Sequence, residues 1–154
     1  GTAVIADALA VKPADGLKVF PVPSPLQCPA LSYGSSFSRA VELDGGEWRR
    51  LFVSGTASIS PDGKTAHCGD AEKQTALTME VVEAILTSRK MSWEDVTRAV
   101  AYVKEGRFAG VFDRYCMDRG LSLPAVIAEN DICRDDLLFE IEVDAAVSSE
   151  ENPV

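Results

Sequence analysis

Two periodicities divide the chain. Apolar and polar positions alternate from Ser36 to Leu43 and again from Trp48 to Ser54, and the Asp44-Gly45-Gly46 run between them predicts a hairpin. A second turn is expected at Ser60-Pro61-Asp62-Gly63-Lys64, where proline presets one torsion and Asp-Gly tolerates a positive one. Helical spacing follows. Asp70 reads as an N-cap, Glu72 lies in the first turn, and Leu77, Val81 and Ile85 share a face, so a helix is expected from Asp70 to near Lys90. Ser92-Trp93-Glu94-Asp95 fits a short capped turn, and the near-continuous apolar content of Thr97 to Val103 predicts a strand buried on both faces. Phe108, Val111, Phe112 and Tyr115 recur at three and four residues, which predicts a second helix ending at Gly120. Pro124 to Ile127 and Leu137 to Val147 supply the last strands.

This order of elements predicts an α+β fold, a single mixed sheet with two helices packed on one face. The other face must then meet solvent, a partner subunit or a third element. Val41, Leu51, Val53 and the strand at Thr97 to Val103 argue against full solvation, a physical reason to expect an oligomer whose sheets pack on each other. Residues 1–34 carry Pro13, Pro21, Pro23, Pro25 and Pro29 and read as an extended Pro-rich arm. Residues 35–147 form the folded domain, and 148–154 a flexible acidic tail.

Composition narrows the function classes. The 154 residues suit one compact domain, and 46% hydrophobic with 25% charged residues is ordinary for a globular protein. A net charge of -9 repels a phosphate backbone, and the dense basic pair Arg49-Arg50 is followed by no basic stripe, so no nucleic-acid partner is expected. No apolar run spans a bilayer, and Asp7 interrupts an N-terminal stretch that lacks a preceding basic region, so neither a membrane partner nor a signal peptide is expected. The expected location is cytoplasmic. Cys28, Cys68, Cys116 and Cys133 are widely spaced, and His67 is the only histidine, so no metal site and no other cofactor are expected. Free thiols are the default, with Cys116 in the core beside Phe112 and Tyr115.

The richest chemistry lies between Asp131 and Ala146. Read with period two, Phe139, Ile141, Val143 and Ala145 take one face and Glu140, Glu142 and Asp144 the other. Carboxylates in a row repel one another unless water, a cation, a donor or a raised pKa absorbs the charge. The row is either the solvated face of an edge strand or the wall of a site.

Ser38-Arg39-Ala40, Leu51-Phe52-Val53-Ser54-Gly55, Gly69-Asp70, Gln74-Thr75, Trp93-Glu94-Asp95-Val96 and Glu140-Ile141-Glu142, in this order and spacing, resemble the Rid superfamily, also called the YjgF or L-PSP family. The resemblance implies a chorismate-mutase-like fold assembled as a homotrimer, with ligand clefts between neighbouring subunits. Ser36-Phe37-Ser38-Arg39-Ala40, Ser54-Gly55-Thr56-Ala57-Ser58-Ile59, His67-Cys68-Gly69-Asp70 and Asp131-Ile132-Cys133-Arg134 look most like the C-terminal half of chorismatases, which hydrolyse the enolpyruvyl ether of chorismate. Imine-hydrolysing Rid enzymes follow a Pro-Ala pair with an arginine that holds the substrate carboxylate. Here Pro124-Ala125 is followed by Val126, which cannot form that bidentate contact. The nearest replacements are Arg134 and Arg39.

By this resemblance Glu140 is the catalytic residue, exchanging a proton with substrate or orienting water; its structural alternative is a carboxylate bonded to backbone donors. The expected partner is a small carboxylate ligand. Cys133 lines a pocket or sits in the core, and Arg134 clamps a carboxylate or pairs at the surface with Asp131, Asp135 or Asp136. Phe37 and Tyr102 stack on a planar ligand or belong to the core. Gly55 and Thr56 admit backbone donors to a ligand or mark a bulge. His67 reads as a loop residue. Two functions follow: a trimeric hydrolase or deaminase acting on a carboxylate-bearing enol ether, enamine or imine, and a non-catalytic trimer that binds 2-ketoacids or aromatic carboxylates.

Overall fold

The Pro-rich lead-in contributes a strand that periodicity does not predict. Lys18–Val22 (β1) pairs antiparallel with Ala40–Asp44 (β2), bringing Pro21 opposite Val41. Proline is accepted there because β1 is the outermost strand. The computed structural model describes residues 8–148, so the expected acidic tail lies outside the described residues except for Ser148, as does the stretch before Ala8. β2 starts later than expected, at Ala40, and turns at Gly45-Gly46 into a long strand, Trp48–Ala57 (β3).

Helix α1 (Ala71–Ser88) begins where the sequence places it, with the Asp70 side chain accepting from the Lys73 backbone N–H at 3.0 Å. A short 3-10 turn, Trp93–Asp95, carries the reciprocal Ser92/Asp95 capping box and leads into Val96–Val103 (β4). Helix α2 (Ala109–Arg119) ends at Gly120, whose φ of 65° suits a residue without a Cβ. Ala125–Glu129 (β5) runs parallel to β4, and Phe139–Ser148 (β6) pairs antiparallel with both β3 and β4. The result is one mixed sheet of six strands in the order β1-β2-β3-β6-β4-β5, an α+β fold.

The core lies between this sheet and the helices. Val81, Val82, Ile85 and Leu86 of α1 pack on Leu51, Val53, Ile141 and Val143, and Phe112 of α2 stacks on Phe139 with ring centroids 5.5 Å apart. Beneath the end of α1, the fully buried Glu42 meets Arg89 through two hydrogen bonds and Arg49 at 3.6 Å. Phe20 of β1 covers the Arg89 guanidinium at 5.3 Å.

Two expectations about the sheet need correction. Leu51 and Val53 belong to the helix-covered face, since their β6 partners Ala145 and Val143 point into the core; they do not argue for a second covered face. β4 is buried on one face only, because Thr97 and Arg98 are exposed while Ala99, Ala101 and Val103 are buried.

Candidate active site

The row of carboxylates stands on the face away from the helices, as alternation along β6 requires: Phe139, Ile141, Val143 and Ala145 are buried, whereas Glu140, Glu142 and Asp144 are half-buried. Arg98, on the neighbouring β4, resolves much of their repulsion, lying 2.7 Å from Glu142 and 3.8 Å from Asp144. Glu140 has no such partner, and among the described residues no donor bonds its carboxylate. Burial therefore holds the Glu140 carboxyl above the ordinary carboxylate range, and the charge of Glu142 adds to the rise.

A local break in β3 makes room for this side chain. The β3–β6 register shifts between Val53 and Thr56, leaving a bulge. Gly55 sits in that bulge, and a Cβ there would come within 3.1 Å of Glu140 Cδ and overlap its Oε1. Across β6, Tyr102 is the β4 residue paired with Glu140, and its phenol is pushed upward by burial, then by Glu142 and, to a smaller degree, Glu140.

The far wall is the loop between β5 and β6. Asn130, Asp131, Ile132 and Cys133 join Gly55, Tyr102, Glu140 and Glu142 around an open cleft of about 510 Å3. The Cys133 thiol is raised by partial burial and by Glu140, so it is not a ready thiolate. Gln74 fixes the loop's path. Fully buried in α1, its amide nitrogen donates to the carbonyls of Asp136 at 2.8 Å and His67 at 3.3 Å, and its oxygen accepts from the Leu138 N–H at 2.8 Å.

The structure thus brings together Glu140, Gly55, Tyr102 and Cys133 and leaves other candidates elsewhere. Thr56 is buried with its hydroxyl on the Ser54 carbonyl at 2.8 Å; the bulge turns it toward the core, opposite Ile141. Arg39 and Phe37 line a separate pocket beside the lead-in. Arg134 follows Cys133 but is half-buried away from the cleft, with its guanidinium over the Tyr33 ring at 5.2 Å and a long contact of 3.4 Å to Thr65 Oγ1. It pairs with none of the neighbouring aspartates. His67 is a loop residue with φ of 56°. Gln74 belongs to the Gln74-Thr75 pair of the family resemblance, but its hold on the loop, like the place of Asn130 in the lining, depends on long-range contacts that the sequence does not display.

A family model described as endoribonuclease L-PSP matches residues 30–147. This chain belongs to the L-PSP family. Among curated relatives, it is 31% identical over 116 residues to a chorismatase of Streptomyces hygroscopicus, covering 69% of this chain and 33% of that protein. A 3-hydroxybenzoate synthase of the same organism is 30% identical over 115 residues, covering 68% and 33%. The chain therefore spans about a third of the length of these relatives. Among solved structures, a chorismatase superposes with a TM-score of 0.70 at 25% identity, covering 83% of this chain and 44% of that one. A YjgF family member from Mycobacterium tuberculosis shares the fold with a TM-score of 0.64 at 24% identity, covering 84% of this chain and all (100%) of that one. Among the described residues of this L-PSP chain, no helix is long and apolar enough to cross a membrane.

Proposed function

We propose that this chain acts as a homotrimeric, cofactor-free cytoplasmic enzyme that hydrolyses a small carboxylate-bearing enol ether, enamine or imine, with Glu140 transferring the proton. The observation that carries this reading is a half-buried carboxyl group, without a hydrogen-bond donor, in a cleft shaped to hold it. A carboxylic acid whose pKa is raised by burial is better placed to deliver its proton to the terminal carbon of an enol ether. The ether carbon becomes an oxocarbenium centre, water adds and returns a proton to Glu140, and the hemiketal collapses to a 2-ketoacid and an alcohol. With an imine, the same carboxylate orients the attacking water.

The lining includes Asp131, Glu140 and Glu142 and no cationic side chain. An anionic substrate therefore needs a cation from outside this lining. Arg134 is the proposed carboxylate clamp: it is bonded in sequence to Cys133 and held only by a ring face and one long contact, so little opposes its turning inward. Assembly as a trimer with clefts at subunit boundaries would enclose the open side. A second reading, a trimer that binds 2-ketoacids or aromatic carboxylates without turnover, is favoured by Val126, which is 64% exposed on β5 and offers no carboxylate contact.

The test is pyruvate release from chorismate beside hydrolysis of 2-aminoacrylate, with wild type and Glu140→Gln. Loss of turnover by roughly 10²–10⁴-fold is expected for removal of a positioned acid-base group. Undiminished turnover in Glu140→Gln would remove Glu140 from the chemistry. No turnover of either compound by wild type, together with saturable binding of 2-ketobutyrate, would establish the binding trimer instead.

A further inference from the structure

The two edges of the sheet are finished differently. β1 closes one edge with Lys18 and Pro21, residue types that discourage another strand from pairing there. β5 closes the other edge and carries neither. Its backbone meets β4 at even-numbered positions: the Pro124 carbonyl accepts from the Ala99 N–H, and the Asn130 N–H donates to the Val103 carbonyl, both at 3.0 Å. Alternation along the parallel ladder therefore turns the N–H and C=O of Ile127 and Glu129 outward, and among the described residues no strand pairs with that side. The Glu129 side chain does not guard the edge, because its Oε2 accepts from the Gly106 N–H at 3.0 Å.

Apolar surface flanks this edge on both sides. Toward the helices, a groove of about 540 Å3 between α2 and β5 is walled by Phe112, Cys116, Met117, Leu121, Leu123 and Ile127, and Met117 is 71% exposed. On the open face of the sheet Val126 is exposed as well. One added strand would cover both, since its alternate side chains fall on opposite faces. The sequence holds a match for this place. Ala3-Val4-Ile5-Ala6-Asp7 repeats Ala125-Val126-Ile127-Ala128-Glu129 at four positions and keeps an acid at the fifth. A segment with the pattern of β5 has the β-branched residues and the alternation that this end of the sheet already accepts.

We propose that residues 3–7 of a second copy of this chain add to β5 as an antiparallel strand, with Ile5 opposite Ile127. Antiparallel order sets Asp7 opposite Ala125 and Ala3 opposite Glu129, whereas a parallel register would put the two acids side by side. Ile5 then enters the groove beside Ile127, while Ala6 and Val4 lie next to Val126 and Ala128. Reach decides which copy supplies the segment. Leu9 and Val11 lie against Val19, Val41, Leu43 and Phe52, so the nearest strand to the free edge that Leu9 meets is β3. Four strand spacings, roughly 19 Å, separate β3 from the place beyond β5. The two residues from Leu9 to Asp7 span at most about 7 Å. The groove shares no lining residue with the Glu140 cleft, and this pairing does not depend on the chemistry proposed there.

Amide hydrogen exchange of the full chain, read residue by residue by NMR, tests the pairing. The N–H groups of Ile127 and Glu129 should exchange about tenfold or more slowly in wild type than in Ile5→Asp, while those of Val126 and Ala128, which face β4, stay unchanged. A photocrosslink tests the copy. With p-benzoylphenylalanine in place of Ile5, irradiation should join residue 5 to the α2–β5 segment in a band of dimer size on a denaturing gel. Equal exchange of Ile127 and Glu129 in wild type and Ile5→Asp, the absence of a dimer-sized band, or a crosslink that maps away from α2 and β5 would overturn the proposal. The crosslink decides the matter on its own if Ile5→Asp fails to fold.

Discussion

Gly55→Ala separates what the bulge does for stability from what it does for the site. The backbone at Gly55 is not in the left-handed region, so alanine is tolerated by the main chain, and the obstacle is the Glu140 carboxylate itself. That group is the far end of a flexible side chain and can move. Forcing Glu140 off its preferred rotamer costs about 0.5–1.5 kcal/mol, while replacing glycine restricts the unfolded chain and recovers about 0.4–1 kcal/mol. The two nearly cancel, so the unfolding free energy should change by no more than about 1 kcal/mol, a Tm shift of roughly 2–4 °C for a chain of this size. Function should respond far more strongly, because displacement of a reacting group by about 1 Å can lower a rate 10²-fold. A ¹³C NMR titration of the Glu140 carboxyl provides an activity-independent assay. In wild type it should titrate above the ordinary carboxylate range, and in Gly55→Ala it should fall back toward that range as the group is pushed toward water. An unchanged titration in the variant would show that Gly55 does not set the carboxyl's position, and the account of the bulge would fail.

Glu140→Gln should stabilise the fold at pH 8 and leave it unchanged near pH 4. A carboxyl whose folded pKa lies above its unfolded value contributes fully below the unfolded pKa, and this contribution is lost as pH rises through the folded one; glutamine has no such loss. Urea unfolding at the two pH values measures the difference, and a variant no more stable than wild type at pH 8 would contradict the raised pKa. Glu42→Ala leaves two arginines facing an emptied, buried position, so it should cost about 3–5 kcal/mol in the same unfolding assay. A loss below about 1 kcal/mol, the value of a surface pair, would show that Glu42 is solvated in solution.

What the sequence discloses here is local. Asp70 and the Ser92/Asp95 box are legible because a cap is a bond between a side chain and backbone only a few residues away. The β6 pattern is legible for the same reason, since alternation states which residues share a face. It does not state which face the helices cover, and for that reason Leu51 and Val53 are assigned to the wrong side when read alone. Thr56 shows a sharper limit. Counting by twos from Val53 turns it to the cleft face, but the bulge inserts a residue and reverses the parity. β1 is hidden by Pro21 and its flanking prolines, which speak against a strand until its outer position in the sheet is known. Arg39 and Glu140 are plausible partners in a list of residues, yet they line pockets with no residue in common, a fact of tertiary placement alone.

Gln74 holds the loop at the mouth of the cleft through main-chain atoms, the carbonyl of Asp136 and the N–H of Leu138, and ties it to the carbonyl of His67 in the connection that precedes α1. Such contacts are indifferent to side-chain identity. Cys133 and Arg134 take no part in these bonds, so both can be exchanged while the buried amide of Gln74, with Ile132 and Leu137 in the core, keeps the loop's path and the chemistry at the rim varies. A scaffold built this way is suited to divergence, because new ligand preferences can arise by single substitutions that leave the folding of the loop intact.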